Sequence, residues 1–271
     1  MLQFVGGFIV GLLTVAVLLF YKRIAGAKGD ENNHLAQLEE LSKLTGGLAH
    51  EIKNPLSTVK INLNLAREDL EDSVRFESGK TAADKNSTIL KRAIRKLAVV
   101  QKEADRVEQI LDSFLRYIDR TELHLASVDI NELVSDMIDF YSPQAHSHSI
   151  TIHQGLYNEP LVCKIDPDML KQVILNLFIN AQQAMNSGGD LMIRTDRRAK
   201  DAIIQISDTG SGISPDKLPY IFDAYYTSRP QGSGLGLPTV KKIIEAHKGS
   251  IFVNSERGKG TSFEIRLSLQ Q

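Results

Sequence analysis

Two long apolar stripes at helical spacing run through the first half of this chain, and a single helical hairpin cannot bury both. The first passes through Leu35, Leu38, Leu41, Leu44 and Leu48 and continues to Ile52 and Val59, steps that keep the side chains on one helical face. The second is heptad-spaced, with Leu90, Leu97, Ala104, Leu111 and Ile118 at one core position and Ala93, Val100, Val107 and Phe114 at the other. The pattern fades over residues 77–86, where Ser78-Gly79-Lys80 reads as a turn. Two such helices with a short connection form an antiparallel hairpin whose outer stripe stays wet. A homodimeric four-helix bundle covers it. A plain coiled-coil spacer would carry the same heptads, so the stripes define an architecture and leave the chemistry open.

Ahead of them, Leu2 to Tyr21 contains no charged side chain. About twenty apolar residues are what a helix needs to cross a bilayer. A cleaved signal peptide would start with basic residues, whereas Lys22, Arg23 and Lys28 follow the apolar run. That order predicts a single-pass anchor in the inner membrane with everything after it cytoplasmic. Gly7-x-x-x-Gly11 would let two anchors pack closely, and no sensing domain is expected ahead of the span. Residues 23–34 form a polar joint. Net charge is −1 over 271 residues, without the basic footprint that nucleic-acid binding requires. The single cysteine, Cys163, excludes a disulfide framework and reads as a small strand residue in an apolar run.

After residues 121–126 the period changes. A helix is predicted from Asn131 to Tyr141, strands over 150–153 and 161–165, then a helix opened by Asp166-Pro167. Strands over 191–198 and 202–207 follow, then a glycine-rich region, a helix over 237–247 stopped by Gly249, and strands over 251–254 and 262–269. The expected whole is α+β and multidomain: transmembrane helix 1–22, joint 23–34, helical hairpin 35–121, and an α/β two-layer sandwich 127–271. His146, His148 and His153 alternate, but with no carboxylate or cysteine near them in sequence they read as surface histidines.

Several short stretches carry chemistry. On the first long helix His50 and Asn54 share a face with Glu51 on its flank, and His50 falls opposite the apolar seam, toward water. A neutral imidazole there has a nucleophilic nitrogen. Pro55 is expected to kink the helix just beyond. In the second half, Asn176 and Asn180 present two amides to one side, neutral hard ligands suited to a magnesium ion that keeps its waters and bridges phosphates. Asp208-Thr-Gly-Ser-Gly212 ends a strand with a carboxylate able to accept from the amino group of adenine. Gly210 and Gly212 are expected to let the backbone approach the base. Gly232-Ser-Gly-Leu-Gly236 opens a helix and offers backbone donors to phosphate, residues 220–231 are long enough for a lid, and Gly258-Lys-Gly-Thr-Ser-Phe263 turns into the last strand.

In order and spacing these stretches resemble the sensor histidine kinases of bacterial two-component systems, from about residue 38 to the end. His50-Glu-Ile-Lys-Asn-Pro-Leu56 is similar to the family's phosphoacceptor box, residues 172–184 to its asparagine box, and 208–213 and 232–237 to its glycine boxes. Ile221-Phe222 resembles its phenylalanine box. Tyr226-Thr-Ser-Arg-Pro230 and Glu245-Ala-His-Lys-Gly249 resemble the nitrogen-regulation subgroup. The resemblance implies ATP and magnesium as cofactors, His50 as the phosphorylated residue, Glu51 as its tuning acid or base, and Asn54 as a water-positioning residue. It implies Asn176 and Asn180 near phosphate with Asn180 as magnesium ligand, and Asp208 as adenine reader with Gly210 and Gly212. Gly232, Gly234, Leu235 and Gly236 would lie on the phosphate side and Thr261 in the adenine pocket. Its partners would be a response-regulator receiver domain and a second copy.

Two departures matter. Gln183 stands where many members carry a basic residue, leaving Arg229 or another lid residue as the expected cation on phosphate; and Asn176 replaces the glutamate that related ATPases use to activate water, which speaks against hydrolysis. A catalytically silent nucleotide-binding membrane scaffold is the alternative.

Overall fold

The computed structural model describes residues 31–75, 82–118, 123–227 and 233–270. The expected transmembrane helix and most of the joint lie outside these residues, as do the turn at 78–80 and the predicted phosphate-side residues Arg229 and Gly232. Among the described residues no helix is long and apolar enough to cross a membrane. The chain divides into units Met1–Gly47 and Leu48–Gln271. In the first, residues 31–47 are helical; the second holds the rest of the architecture.

Helix α1 (Glu31–Arg75) and helix α2 (Ala82–Ile118) are the two predicted amphipathic helices. Pro55 does not break α1. Its ring removes one main-chain donor, and just beyond it Ser57 Oγ and Thr58 Oγ1 donate to the carbonyls of Lys53 (2.8 Å) and Asn54 (3.4 Å). Lys96 Nζ of α2 reaches Asp69 Oδ2 of α1 at 2.7 Å and the Leu65 carbonyl at 3.1 Å, which ties the helices side by side.

The two heptad positions separate. Leu48, Ile52 and Ala66 of α1 and Ile89, Ala93, Ile110 and Phe114 of α2 are buried within the chain. Leu90 and Leu97, read from sequence as seam residues, are instead 52% and 45% exposed, beside Ile94 at 56% and, on α1, Ile61 at 58%. Positions three or four residues apart point about 40–60° apart on a helix of 3.6 residues per turn, so with Ala93 and Phe114 facing in, Leu90 and Leu97 fall at the edge of the contact and stay exposed.

The sandwich begins with strand β1 (Ala126–Asp129), which the sequence reading missed, and helix α3 (Ile130–Ser147). There follow β2 (Ile150–Gly155), β3 (Val162–Ile165), α4 (Pro167–Ala184), β4 (Gly189–Arg198) and β5 (Asp201–Asp208). A 3-10 turn (Leu218–Tyr220), α5 (Gly236–Ala246), β6 (Ser250–Glu256) and β7 (Gly260–Ser268) complete it. The main sheet has the order β2-β4-β5-β7-β6; β2 and β4 run parallel and the other neighbours antiparallel. β1 and β3 pair separately. One face of the main sheet carries Leu191, Ile193, Ile204, Ile206, Phe263 and Ile265 into a single core with Val173, Ile174, Leu177 and Phe178 of α4. That burial is the chief stabilisation, at roughly 1.5–3 kcal/mol per large apolar side chain.

Candidate nucleotide-binding site

Strand alternation places the buried carboxylate. In β5, Ala202, Ile204 and Ile206 point into the core, and two residues on Asp208 points the same way with only 7% of its surface exposed. Its Oδ1 accepts from Gly210 N at 2.8 Å. Register pairs Asp208 with Thr261 of β7, also buried, whose hydroxyl lies 3.0 Å from Ser255 Oγ. An acid and a hydroxyl thus stand side by side at one end of the sheet on its helix-covered face.

The helices flanking this end are locked together at their far ends. Asp166 caps α4, with Oδ1 accepting from Asp168 N and Met169 N at 3.1 Å and Oδ2 from His124 N at 2.8 Å. Burial pushes its carboxyl up, but the backbone donors of His124, Met169 and Asp168 offset this and hold it below the ordinary 3.8. Asp166 N, a donor only, lies 2.9 Å from His247 Nε2, so Nε2 accepts and Nδ1 carries the hydrogen it shares with the Ile243 carbonyl at 2.8 Å. The C-terminal end of α5 is thereby fastened to the N-terminal end of α4.

A cavity of about 970 Å³ opens between these parts. Asn176 and Asn180, one turn apart on α4, line it with Gln183, as do Asp208 and Thr261. At its other side α5 starts at Gly236 with no side-chain cap, so its end donors and positive end face the space where Asn180 lies; a Cβ on Gly236 would sit 3.9 Å from Asn180 Nδ2. Gly234 has φ of +62°, and a side chain there would press to 2.6 Å on the backbone of Tyr225, whose N–H donates to the Gly234 carbonyl at 3.1 Å. Leu235, between these glycines, is buried.

Gly210 and Gly212 are also crowded by the protein's own backbone, and Gly212 lines the cavity. A Cβ on Gly210 would fall 2.7 Å from the Ala184 carbonyl, and one on Gly212, at φ of +64°, 2.1 Å from the Glu256 carbonyl. Ser211 N donates to the Ala184 carbonyl and Gly258 N to the Ser211 carbonyl. The loop after Asp208 is clamped between the end of α4 and the β6–β7 turn, so these glycines serve protein–protein packing.

The hairpin forms part of the same cavity, a contact that no local pattern foretells. Arg106, Gln109, Asp112 and Ser113 of α2 line it. Lys242 Nζ of α5 donates to the Tyr117 carbonyl and lies 5.1 Å over the Tyr117 ring, joining sandwich to hairpin. On α1, His50 and Asn54 are solvent-exposed as expected. Glu51 is half-buried: its Oε2 is shut from water and, among the described residues, has no hydrogen-bond partner. Burial pushes its carboxyl up to about 7, with the Arg106 guanidinium drawing the other way. The Tyr225 hydroxyl is also raised, by burial first and then by Glu51 and Tyr117. Among the described residues no hydrogen bond joins Glu51 to His50.

Of the three clustered histidines, His153 has the carboxylate its sequence neighbourhood lacks. Pairing of β2 with β4 brings Asp190 Oδ1 to 2.7 Å from His153 Nε2, on the surface. Among the described residues no three His, Cys, Asp or Glu side chains gather as a metal site. A magnesium ion shared with nucleotide phosphates needs no such cluster, and amide oxygens of Asn180 and Asn176 facing the uncapped start of α5 suit it.

An exposed histidine on a helical hairpin, joined to an α/β sandwich with a buried acid beside an uncapped helix start, defines the class of two-domain histidine kinases. Residues 40–122 match the His Kinase A (phospho-acceptor) domain and residues 165–271 the histidine kinase-, DNA gyrase B- and HSP90-like ATPase domain. The chain belongs to the sensor histidine kinase family. It is 34% identical over 260 residues to sensor histidine kinase ZraS of Escherichia coli K12, covering 94% of this chain and 52% of that protein. It spans about half the length of the curated relatives it matches. Full-length ShkA, solved in complex with AMPPNP, is similar at 25% identity and TM-score 0.57 over 84% of this chain and 46% of ShkA. The fold also resembles histidine kinase ThkA solved with response regulator TrrA, at TM-score 0.68 and 23% identity, over 89% of this chain and 65% of ThkA.

Proposed function

We propose that this chain autophosphorylates His50 from magnesium-ATP and passes the phosphoryl group to an aspartate on a response-regulator receiver domain. The observation that carries the proposal is one cavity walled by Asp208, Thr261, Asn180 and the start of α5, and also by α2 of the histidine-bearing hairpin. Asp208 selects adenine by accepting from its amino group, since guanine would present a carbonyl to a buried acid. The start of α5, with Gly232, Gly234 and Gly236, cradles phosphate oxygens, and Arg229 of the lid adds charge. Magnesium, held by Asn180 with Asn176 beside it, would neutralise charge on the phosphates.

The sandwich then swings to bring His50 in line with the γ-phosphorus. A ring nitrogen attacks, the bond to the bridging oxygen breaks, and ADP leaves with the electron pair; Glu51, once freed, takes the ring proton. Positioning and charge neutralisation supply most of the rate. Asn176 offers no general base, so water does not compete at that position. Asn54 orients water when the phosphorylated partner is dephosphorylated.

Residues 1–22 anchor the chain in the inner membrane as a single span, 23–34 join it to the hairpin of 35–121, and 127–271 form the ATP-binding domain on the cytoplasmic side. Two copies pair through the outer hairpin stripe. Placement in the nitrogen-regulation subgroup rests on the wording of Tyr226-Thr-Ser-Arg-Pro230 and Glu245-Ala-His-Lys-Gly249 alone.

The test is incubation of the detergent-purified chain with magnesium and γ-labelled ATP, beside His50→Gln and Asn180→Ala. Acid-labile, alkali-stable label that both substitutions abolish is expected. Label surviving in His50→Gln means another acceptor, and ATP binding without label favours the silent scaffold.

A further inference from the structure

Helices α4 and α5 meet at both ends, which sets them antiparallel. At one end Gly236 opens α5 opposite Asn180 of α4. At the other, Asp166 N, at the cap of α4, donates to His247 Nε2, at the cap of α5, over 2.9 Å, while His247 Nδ1 shares its hydrogen with the Ile243 carbonyl at 2.8 Å. His247 stands in Glu245-Ala-His-Lys-Gly249, a stretch to which the proposed phosphotransfer gives no task. Between the ends, Val240, Ile243 and Ile244 bury α5 in the sandwich core. Apolar burial is non-directional and lets a helix slide, whereas a hydrogen bond to one atom fixes where it stops. With 11 residues α5 is a rod of about 16 Å, so a shift at His247 is carried to Gly236.

Resting on the kinase reading above, we infer that His247 is a positioning residue for the nucleotide phosphates. It fixes α5 along α4, and with it the spacing between the backbone donors at the start of α5 and the amides of Asn176 and Asn180. The adenine wall stands apart from this device, because Asp208 and Thr261 belong to β5 and β7 and are held by strand register. Loosening α5 therefore weakens the hold on phosphate and spares the base. Asp166 ties in a third segment, since its Oδ2 accepts from His124 N at 2.8 Å. The chain arriving from the hairpin, the start of α4 and the end of α5 thus share one junction. The role needs an acceptor at the Nε2 position, which the side-chain oxygen of a glutamine reproduces. An asparagine is one bond shorter, matches only the Nδ1 position, and keeps the contact within α5 alone.

The experiment measures affinities of the full chain, in detergent with magnesium, for the β,γ-imido analogue of ATP, for ADP and for adenosine, by displacement of a fluorescent nucleotide. His247→Asn and His247→Ala should weaken both nucleotides about tenfold, the typical effect of losing one hydrogen bond, and change adenosine less than about twofold. His247→Gln should stay within about twofold of wild type for all three. Equal losses for adenosine and the nucleotides mean a merely structural role and overturn the inference. Wild-type nucleotide affinity in His247→Asn overturns it too, as does a loss in His247→Gln as large as in His247→Asn. If His247→Ala does not fold, His247→Asn and His247→Gln decide alone. A wild-type chain that binds neither nucleotide defeats the kinase reading itself, a distinguishable outcome.

Discussion

The hairpin and the sandwich solve the burial problem in opposite ways. The sandwich closes one core inside a single chain, with Phe178, Leu177, Ile174 and Val173 all but inaccessible beneath the sheet. The hairpin leaves Ile61, Leu90, Ile94 and Leu97 about half exposed or more. A domain that binds a small ligand gains from a complete, rigid core; a domain that transmits a signal gains from an unfinished surface that a second copy completes. The difference is what the two roles proposed above would require.

The strongest way to break the comparison is to remove the centre of the sandwich. Phe178 is fully buried, and its ring packs 5.2 Å from that of Tyr141. Phe178→Ala should cost about 3–5 kcal/mol, read by urea unfolding of the tyrosine signal with loss of nucleotide binding. Helicity from α1 and α2 should persist to higher urea. If helix and tyrosine signals melt together, the two regions are one cooperative unit and the contrast fails.

The converse test attacks the unfinished surface. Aspartates at Ile94 and Leu97 lie at positions already half in water, so the single chain should lose less than about 1 kcal/mol. Self-association should weaken more than tenfold, because two charges on each copy would be buried unpaired. Sedimentation across a dilution series distinguishes the cases. A wild-type chain that stays monomeric at micromolar concentration removes the argument from the hairpin.

These contrasts also show how far the sequence could be read. Strand and helix order in the sandwich were legible because alternation and caps are local: Asp166-Pro167 announced α4, and Gly249 the end of α5. β1 escaped because four residues, half of them exposed, carry too little periodicity. The heptads gave both stripes on α2, but periodicity alone does not say which stripe meets α1, and the structure puts Ala93 and Phe114 inside and Leu90 and Leu97 outside. Asp208 and Thr261 were found as separate signals, and only the β5–β7 register makes them neighbours. Glycine at 210 and 212 was legible, but not what crowds them there, Ala184 and Glu256, which are remote in sequence. Arg106 had no signal at all: a charged residue on a long helix looks solvated until another domain packs there.

The finest version of the comparison lies in two carboxylates, one buried and one half-buried. Asp166 of the sandwich accepts from three backbone donors and is held below 3.8; Glu51 of the hairpin has an oxygen with no hydrogen-bond partner and is raised to about 7. The signs of their pH effects are therefore opposite. A lowered carboxyl contributes stability above its unfolded value near 3.8, lost as pH falls through the lower folded value. A raised one contributes stability below its unfolded value near 4.5, lost as pH rises through about 7. Asp166→Asn keeps a capping oxygen for α4 but turns an amide N–H₂ toward His124 N–H. It should cost about 1–2 kcal/mol at neutral pH, narrowing as pH drops below 4. Glu51→Gln should do the reverse: little change near pH 4.5, and a stability equal to or above wild type by up to about 1 kcal/mol at pH 8, once partial solvent screening is allowed for. Urea midpoints of Asp166→Asn at pH 3 and 7, and of Glu51→Gln at pH 4.5 and 8, decide it. If Glu51→Gln destabilises more at pH 8 than at pH 4.5, the ionised carboxylate is well satisfied in the hairpin, and the contrast with Asp166 fails.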